Sequence, residues 1–194
     1  CFSLTNSMQT KYAIQIAASL AYLAEIEQIR GHFQVAVTHL EEVLRLVGEQ
    51  AADSVHVVFD IDLGIAYYWE GDLVQARLCF DRAQKILSSV RFPWKEELLE
   101  FYQSLIACHQ GEDEKVADYL ARKELTMNQS ANSRDKGMVH YLLALLTNQK
   151  EKGRKLDPVL SIFLKEEKNY YKKVAEQHLN PYRDQQFLKK LREI

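Results

Sequence analysis

The chain has 194 residues, 47% of them hydrophobic, enough to bury a sizeable core as one domain. A formal net charge of −2 excludes whole-molecule attraction to nucleic acid or to an anionic membrane. Seven glycines, three prolines, almost no strand-like alternation and an abundance of strong helix formers exclude a β architecture and indicate an all-α fold.

The cysteines Cys1, Cys79 and Cys108 are odd in number and widely spaced, which argues against a disulfide framework or a zinc site. A reducing, cytoplasmic setting follows from that usage. No apolar run approaches the roughly 20 residues that span a bilayer. The chain has no initiator Met, so it is expected to be processed, truncated or a piece of something larger. Cys1 would suit a lipid-modified N-terminus as the alternative location. Charge is uneven along the chain: Lys150 to Ile194 carries 12 Lys/Arg against 7 Asp/Glu.

Residues 1–8 read as a lead-in, with Asn6 or Ser7 as a cap for the first helix. From Thr10 to Ile29, Tyr12, Ala13, Ile16, Ala17, Leu20, Leu23 and Ala24 recur at helical spacing. Arg30-Gly31-His32 breaks that pattern. A second helix places Phe33, Ala36, Val37, Leu40, Val43, Leu44 and Val47 on one face and ends at Gly48. After a short loop, with Asp53 or Ser54 as cap, helices at about 54–70 and 73–89 flank the turn Glu70-Gly71-Asp72, where Asp72 caps the second. Pro93 opens the next helix, about 93–109, and Gln110-Gly111-Glu112 closes it. Residues 113–125 follow, with Val116, Tyr119, Leu120 and Leu125 apolar. Thr126 to Ser133 is polar and reads as a loop.

Residues 134–149 form a further helix with Met138, Tyr141, Leu142, Leu145 and Leu146. Beyond a basic turn, Asp157-Pro158 is a helix start, and one helix is expected to run from there to about Leu179. Asn180-Pro181 stops it. A short helix at about 182–192, with Phe187, Leu188 and Leu191, reads as a cap over an open end.

Gly31, Gly71 and Gly111 stand 40 residues apart. Self-similarity at that period signals a solenoid, because one helix pair cannot bury its apolar face alone whereas stacked pairs share a continuous core. In the central unit Leu63, Gly64, Tyr67, Gly71, Ala76, Phe80 and Ala83 stand at the spacing of the tetratricopeptide repeat, which the chain resembles over about residues 10–170. The first unit keeps Leu23, Ala24, Gly31, Ala36, Leu40 and Val43, but Glu27 stands where an aromatic is usual. The third keeps Ser104, Ala107, Gly111, Val116 and Leu120, with Lys123 in place of a small residue. The fourth keeps Leu143-Ala144. The resemblance implies a single domain over 1–194, a right-handed α-solenoid with units at about 10–48, 54–89, 93–125 and 134–179 and a C-terminal capping helix. The period is about six residues longer than the family's common one. In that respect the chain resembles the sensor domains of peptide-responsive bacterial regulators and the repeat domains of large signalling regulators.

In that family the first helix of each pair lines a concave face. Carried over, this places Ala18, Ala21, Glu25 and Gln28 there, then Val58, Ile61, Ile65, Tyr68 and Trp69, then Leu98, Phe101, Tyr102 and Leu105, then Met138, Tyr141 and Leu145. The partner groove is expected at Ile61, Ile65, Tyr68, Trp69, Phe101, Tyr102, Leu105 and Tyr141. Aromatics at helical spacing also serve as core, and Tyr67 and Phe80 are assigned there. Tyr68 and Trp69 are expected to face the other way. The carboxylate clamp of chaperone-binding members needs Lys and Asn where this chain is apolar, so it is rejected. An apolar peptide or amphipathic helix is the partner such a groove would take.

No catalytic constellation is present. His32, His39, His56, His109, His140 and His178 belong to no HExxH arrangement, and Cys108 and His109 point about 100° apart on a helix. Glu41-Glu42, Glu96-Glu97 and Glu166-Glu167 read as solvated faces. No cofactor or metal is called for. Tyr170, Tyr171, Lys172, Lys173, Tyr182 and Arg183 mix aromatics with positive charge, as nucleic-acid binders do, but so does an ordinary capping helix. The leading reading is a non-catalytic scaffold for a protein or peptide. The alternative is the peptide-sensing part of a transcriptional regulator. Self-association through an apolar groove is a third way to satisfy the same surface.

Overall fold

A computed structural model of the chain describes residues 2–48, 52–89, 92–127, 133–181 and 183–194; for 2–11, 125–127 and 133 the description is of the backbone. Cys1, Tyr182 and the loop centre 128–132 lie outside it. Ten helices are described: α1 Phe2–Arg30, α2 Phe33–Val47, α3 Asp53–Glu70, α4 Leu73–Leu87, α5 Pro93–Gln110, α6 Asp113–Met127, α7 Ser133–Glu151, α8 Pro158–Ser161, α9 Lys168–His178 and α10 Gln185–Glu193. No strand occurs among the described residues. The all-α expectation holds. The chain divides into two compact units, Cys1–Leu99 and Glu100–Ile194.

In the first unit α1 packs on α2, α2 on α3 and α3 on α4. The apolar stripes of these helices meet in a core of Ala24, Ala36, Val37, Leu40, Leu63, Ala66 and Cys79, with Leu44, Phe59 and Tyr67 against it. The turns are as the sequence implies. Gly71 has φ 100°, which an L side chain rarely adopts, and its N–H donates to the carbonyls of Tyr67 and Tyr68. Asp72 caps α4 by accepting from the Gln75 N–H at 3.0 Å. Gly64 answers a different need. A Cβ there would stand 2.7 Å from Cδ1 and 3.0 Å from Cζ of the Phe80 ring, so its absence lets α3 and α4 close on each other.

Two expectations about helix starts are corrected here. α1 begins at Phe2, so Asn6 and Ser7 lie inside the helix and not at its start. α3 is entered from Ala52, which has no side-chain cap, in place of Asp53 or Ser54.

In the second unit α7 packs against α9 and α10, and α6 against α7 and α8. Gly137, within α7, allows a similar approach: a Cβ would lie 3.0 Å from the backbone carbon of His178 and the nitrogen of Leu179. The loop between α7 and α8 is fastened by Arg154, which donates to the Cys108 carbonyl at 2.7 Å and to Gln149 and Asp113. Asp113 in turn accepts from the Asp157 N–H at 2.7 Å. Asp157 caps α8, with Pro158 at its first turn, as expected. The helix does not continue to Leu179, however. It breaks after Ser161 and restarts at Lys168. The hydroxyl of buried Tyr171 bridges the break, donating to the Phe163 carbonyl at 3.0 Å and accepting from the Glu166 N–H at 2.9 Å. It replaces hydrogen bonds that a continuous helix would have made. The polar stretch expected as a loop from Thr126 to Ser133 also yields its ends to helix, with Thr126 and Met127 in α6 and Ser133 in α7.

Candidate interaction surfaces

The expected groove residues are largely interior. Ile61, Phe101 and Leu105 are fully buried, and Ile65, Tyr68, Tyr102 and Tyr141 expose less than a tenth of their surface. Trp69 is half-buried, stacked on Phe33 with centroids 6.1 Å apart and met edge-on by Tyr68 at 5.2 Å. Within the tyrosine pair, Tyr67 packs against the core as assigned, and Tyr68, expected to face the other way, is buried as well. Tyr67 is half-buried at the α2–α3 seam, its hydroxyl donating to Glu41 at 2.6 Å. A residue one step along a helix is turned by about 100°, so the two rings are covered on different sides of α3, which packs on both α2 and α4. Phe80 is in the core as assigned. Of the first-unit positions expected on the concave wall, Ala18 and Glu25 are exposed and Ala21 is half-buried. Gln28 is half-buried, its amide donating to the Asp62 carbonyl at 3.2 Å.

In the second unit Phe101, Tyr102 and Tyr141 converge, but on a ring of the chain's own C-terminal helix. Phe187 of α10 lies edge-on to Tyr141 at 4.9 Å and to Phe101 at 5.5 Å, and tilted against Tyr102 at 5.9 Å. These offset arrangements are the ones ring quadrupoles favour. Phe187 and Leu191, four residues apart, are both buried. Ahead of them, Asp184 is buried and ion-paired to Arg134, whose Nη2 donates at 2.8 Å and Nε at 3.2 Å. The other carboxylate oxygen accepts from the Asn180 N–H at 2.8 Å. Burial keeps the Tyr141 phenol neutral, well above its ordinary pKa.

A surface that the expected groove omitted lies on α1. The helix carries two apolar stripes. Ala17 and Ala24 are buried, and Ala13, Leu20 and Glu27 are half-buried on the same side. One residue back, Tyr12, Ile16, Leu23 and Ile26 form a second stripe, with Tyr22 beside it, and these side chains are 43 to 70% exposed. A run of large apolar side chains left this open on one helix is the kind of surface that marks an interaction site. The spacing of 4, 7 and 3 residues is the coiled-coil alternation with Ser19 at the intervening place. The Ser19 hydroxyl is bonded to the Gln15 carbonyl at 3.0 Å and so asks nothing of a partner.

No group of His, Cys, Asp or Glu among the described residues could hold a metal. Cys79 and Cys108 are buried, and burial pushes each thiol up to about 11. Four cations of the basic terminal segment, Arg154, Lys165, Lys168 and Lys190, are tied to carboxylates. No helix among the described residues is long and apolar enough to cross a membrane. No family model matches the chain, and no curated protein and no solved structure matches it.

Proposed function

We propose that the protein is a non-catalytic helical-repeat scaffold, a right-handed tetratricopeptide-like solenoid, that binds amphipathic helical segments of other proteins. The observation that carries this reading is the exposed stripe Tyr12, Ile16, Leu23 and Ile26 on α1. Its 3–4 spacing is complementary to another helix, and covering it releases apolar surface from water at about 25 cal/mol per Å². The groove moves with it: the partner surface lies on the outer side of α1, and most of the eight residues first expected there serve packing instead.

The test is a selection of random peptides against the immobilised full chain by messenger-RNA display. The enriched pool should show apolar residues at 3–4 spacing, and its binding should be lost with Ile16→Asp/Leu23→Asp, since both side chains are exposed and the fold should tolerate the change. A pool without that periodicity, or one that binds the double variant equally, would refute the proposal.

A further inference from the structure

We infer that α10 occupies, in cis, a docking seat for a partner helix bearing an acidic residue, a Phe three residues later and a Leu four residues after that. The inference extends the helix-binding reading to the second unit but rests on its own geometry, with no part played by α1. The seat has two components. Phe101, Tyr102 and Tyr141 form an aromatic floor that receives one ring, with Phe187 at 4.9 to 5.9 Å from all three. Beside it Arg134 offers a guanidinium fork, half-exposed on its own side, to a carboxylate that becomes fully buried when engaged. The guanidinium meets the carboxylate through Nη2 and Nε, chiefly on one oxygen, and so marks where the acidic residue of a docking helix must sit, while the aromatic floor supplies the contact area.

The ligand that fits is written in α10 itself: Asp184 for the fork, Phe187 for the floor, and Leu191 one turn on. The helix is nine residues long, below the length at which a helix holds together alone in water, so its order depends on the seat. Gln185, Lys189, Lys190, Arg192 and Glu193 are exposed, so its outer side is polar. A short, tethered, strongly two-faced helix is what an intramolecular competitor needs to be. Its tether holds it at a local concentration on the order of millimolar, so a free helix displaces it only when the contacts in trans are better or more numerous.

The probe is a fluorescein-labelled synthetic peptide of residues 183–194, titrated into the full chain. The wild-type protein should bind it weakly at micromolar concentrations. The full-length Phe187→Ala variant, which loses its own anchor, should bind it at least roughly tenfold tighter, because the cis competitor is weakened. A peptide carrying the same Phe187→Ala change should bind neither, and one carrying Asp184→Asn should bind the variant more weakly. Equal binding to wild type and variant, or indifference to the peptide's Phe, overturns the inference. Wild-type self-association at micromolar concentration that disappears in Phe187→Ala would also overturn it, by assigning the seat to α10 of a second copy. Should Phe187→Ala not fold, native-state hydrogen exchange of the wild type decides. The α10 amides should exchange at least roughly tenfold faster than those at the centre of α7. Exchange of α10 only together with α7 would make it an ordinary core element.

Discussion

Replacing Gly64 with Ala tests the closest helix approach in the first unit. The new methyl would overlap the Phe80 ring, standing 2.7 Å from Cδ1, and Phe80 is fully buried. Overpacking of a tight core costs about 1–3 kcal/mol. Against this, Ala is a better helix former than Gly by about 1 kcal/mol. The contact is with a fully buried ring, so the penalty should fall in the upper part of its range. The net loss is then about 1–2 kcal/mol, or a fall in Tm of about 2–8 °C by circular dichroism at 2–4 °C per kcal/mol. The partner variant gives the sharper result. Phe80→Leu destabilises alone by opening a void, but the double variant should recover part of the Gly64→Ala loss, with a coupling of at least about 0.5 kcal/mol in a urea-denaturation cycle. An additive cycle, or a Gly64→Ala protein as stable as the wild type, would refute the claim that Gly64 sets the α3–α4 approach.

Three further outcomes follow from particular side chains. Asp60 is buried and accepts from Arg82 at 2.6 and 2.9 Å, whereas the Arg82 side chain keeps about half its surface in water. Arg82→Ala, which leaves a buried carboxylate without its partner, should therefore cost about 1–3 kcal/mol in urea denaturation, and Asp60→Ala clearly less. Equal costs would show the pair to be solvent-screened. The Cys79 and Cys108 thiols, pushed up to about 11 by burial, should resist dithionitrobenzoate at pH 8 and react only on unfolding. Rapid titration of either in the native state would show it to be open to solvent. His140 is buried, with Nδ1 2.8 Å from the Lys136 carbonyl, and burial holds its pKa below the ordinary value of 6.5. A histidine kept neutral in the fold contributes stability above its unfolded pKa that is lost as pH falls from about 6.5 toward the folded value. Tm should decline over that window, and a His140→Gln chain should show a shallower decline; identical slopes would assign the decline to other groups.

Much of the architecture is legible in the sequence because it depends on local chemistry. Gly71 and Asp72 mark a turn by their own conformational preferences, Asp157-Pro158 marks a helix start, and Ala24, Ala36, Leu40 and Leu63 show the core by periodicity. The break between α8 and α9 is not legible in that way, because it is held by a tyrosine hydroxyl that reaches back across it. The groove assignment took Tyr68 for the outward neighbour of Tyr67, whereas Tyr67 packs on the core and Tyr68 is buried too. Composition cannot say that a helix packs on two sides. The second α1 stripe was readable: Tyr12, Ile16, Leu23 and Ile26 repeat beside Ala13, Ala17, Leu20 and Ala24 with an offset of one residue. Merged into one set, the two stripes look like a single broad packing face. The seat of Phe187 needed the tertiary structure, since nothing local links residue 187 to residues 101, 102 and 141.

The most direct trial of the helix-binding proposal is a hydrogen-exchange footprint of a display-selected helical peptide on the full-length protein. The proposal requires added protection along α1 between residues 12 and 26, absent with Ile16→Asp/Leu23→Asp. A footprint that leaves α1 untouched while the peptide is bound would contradict it.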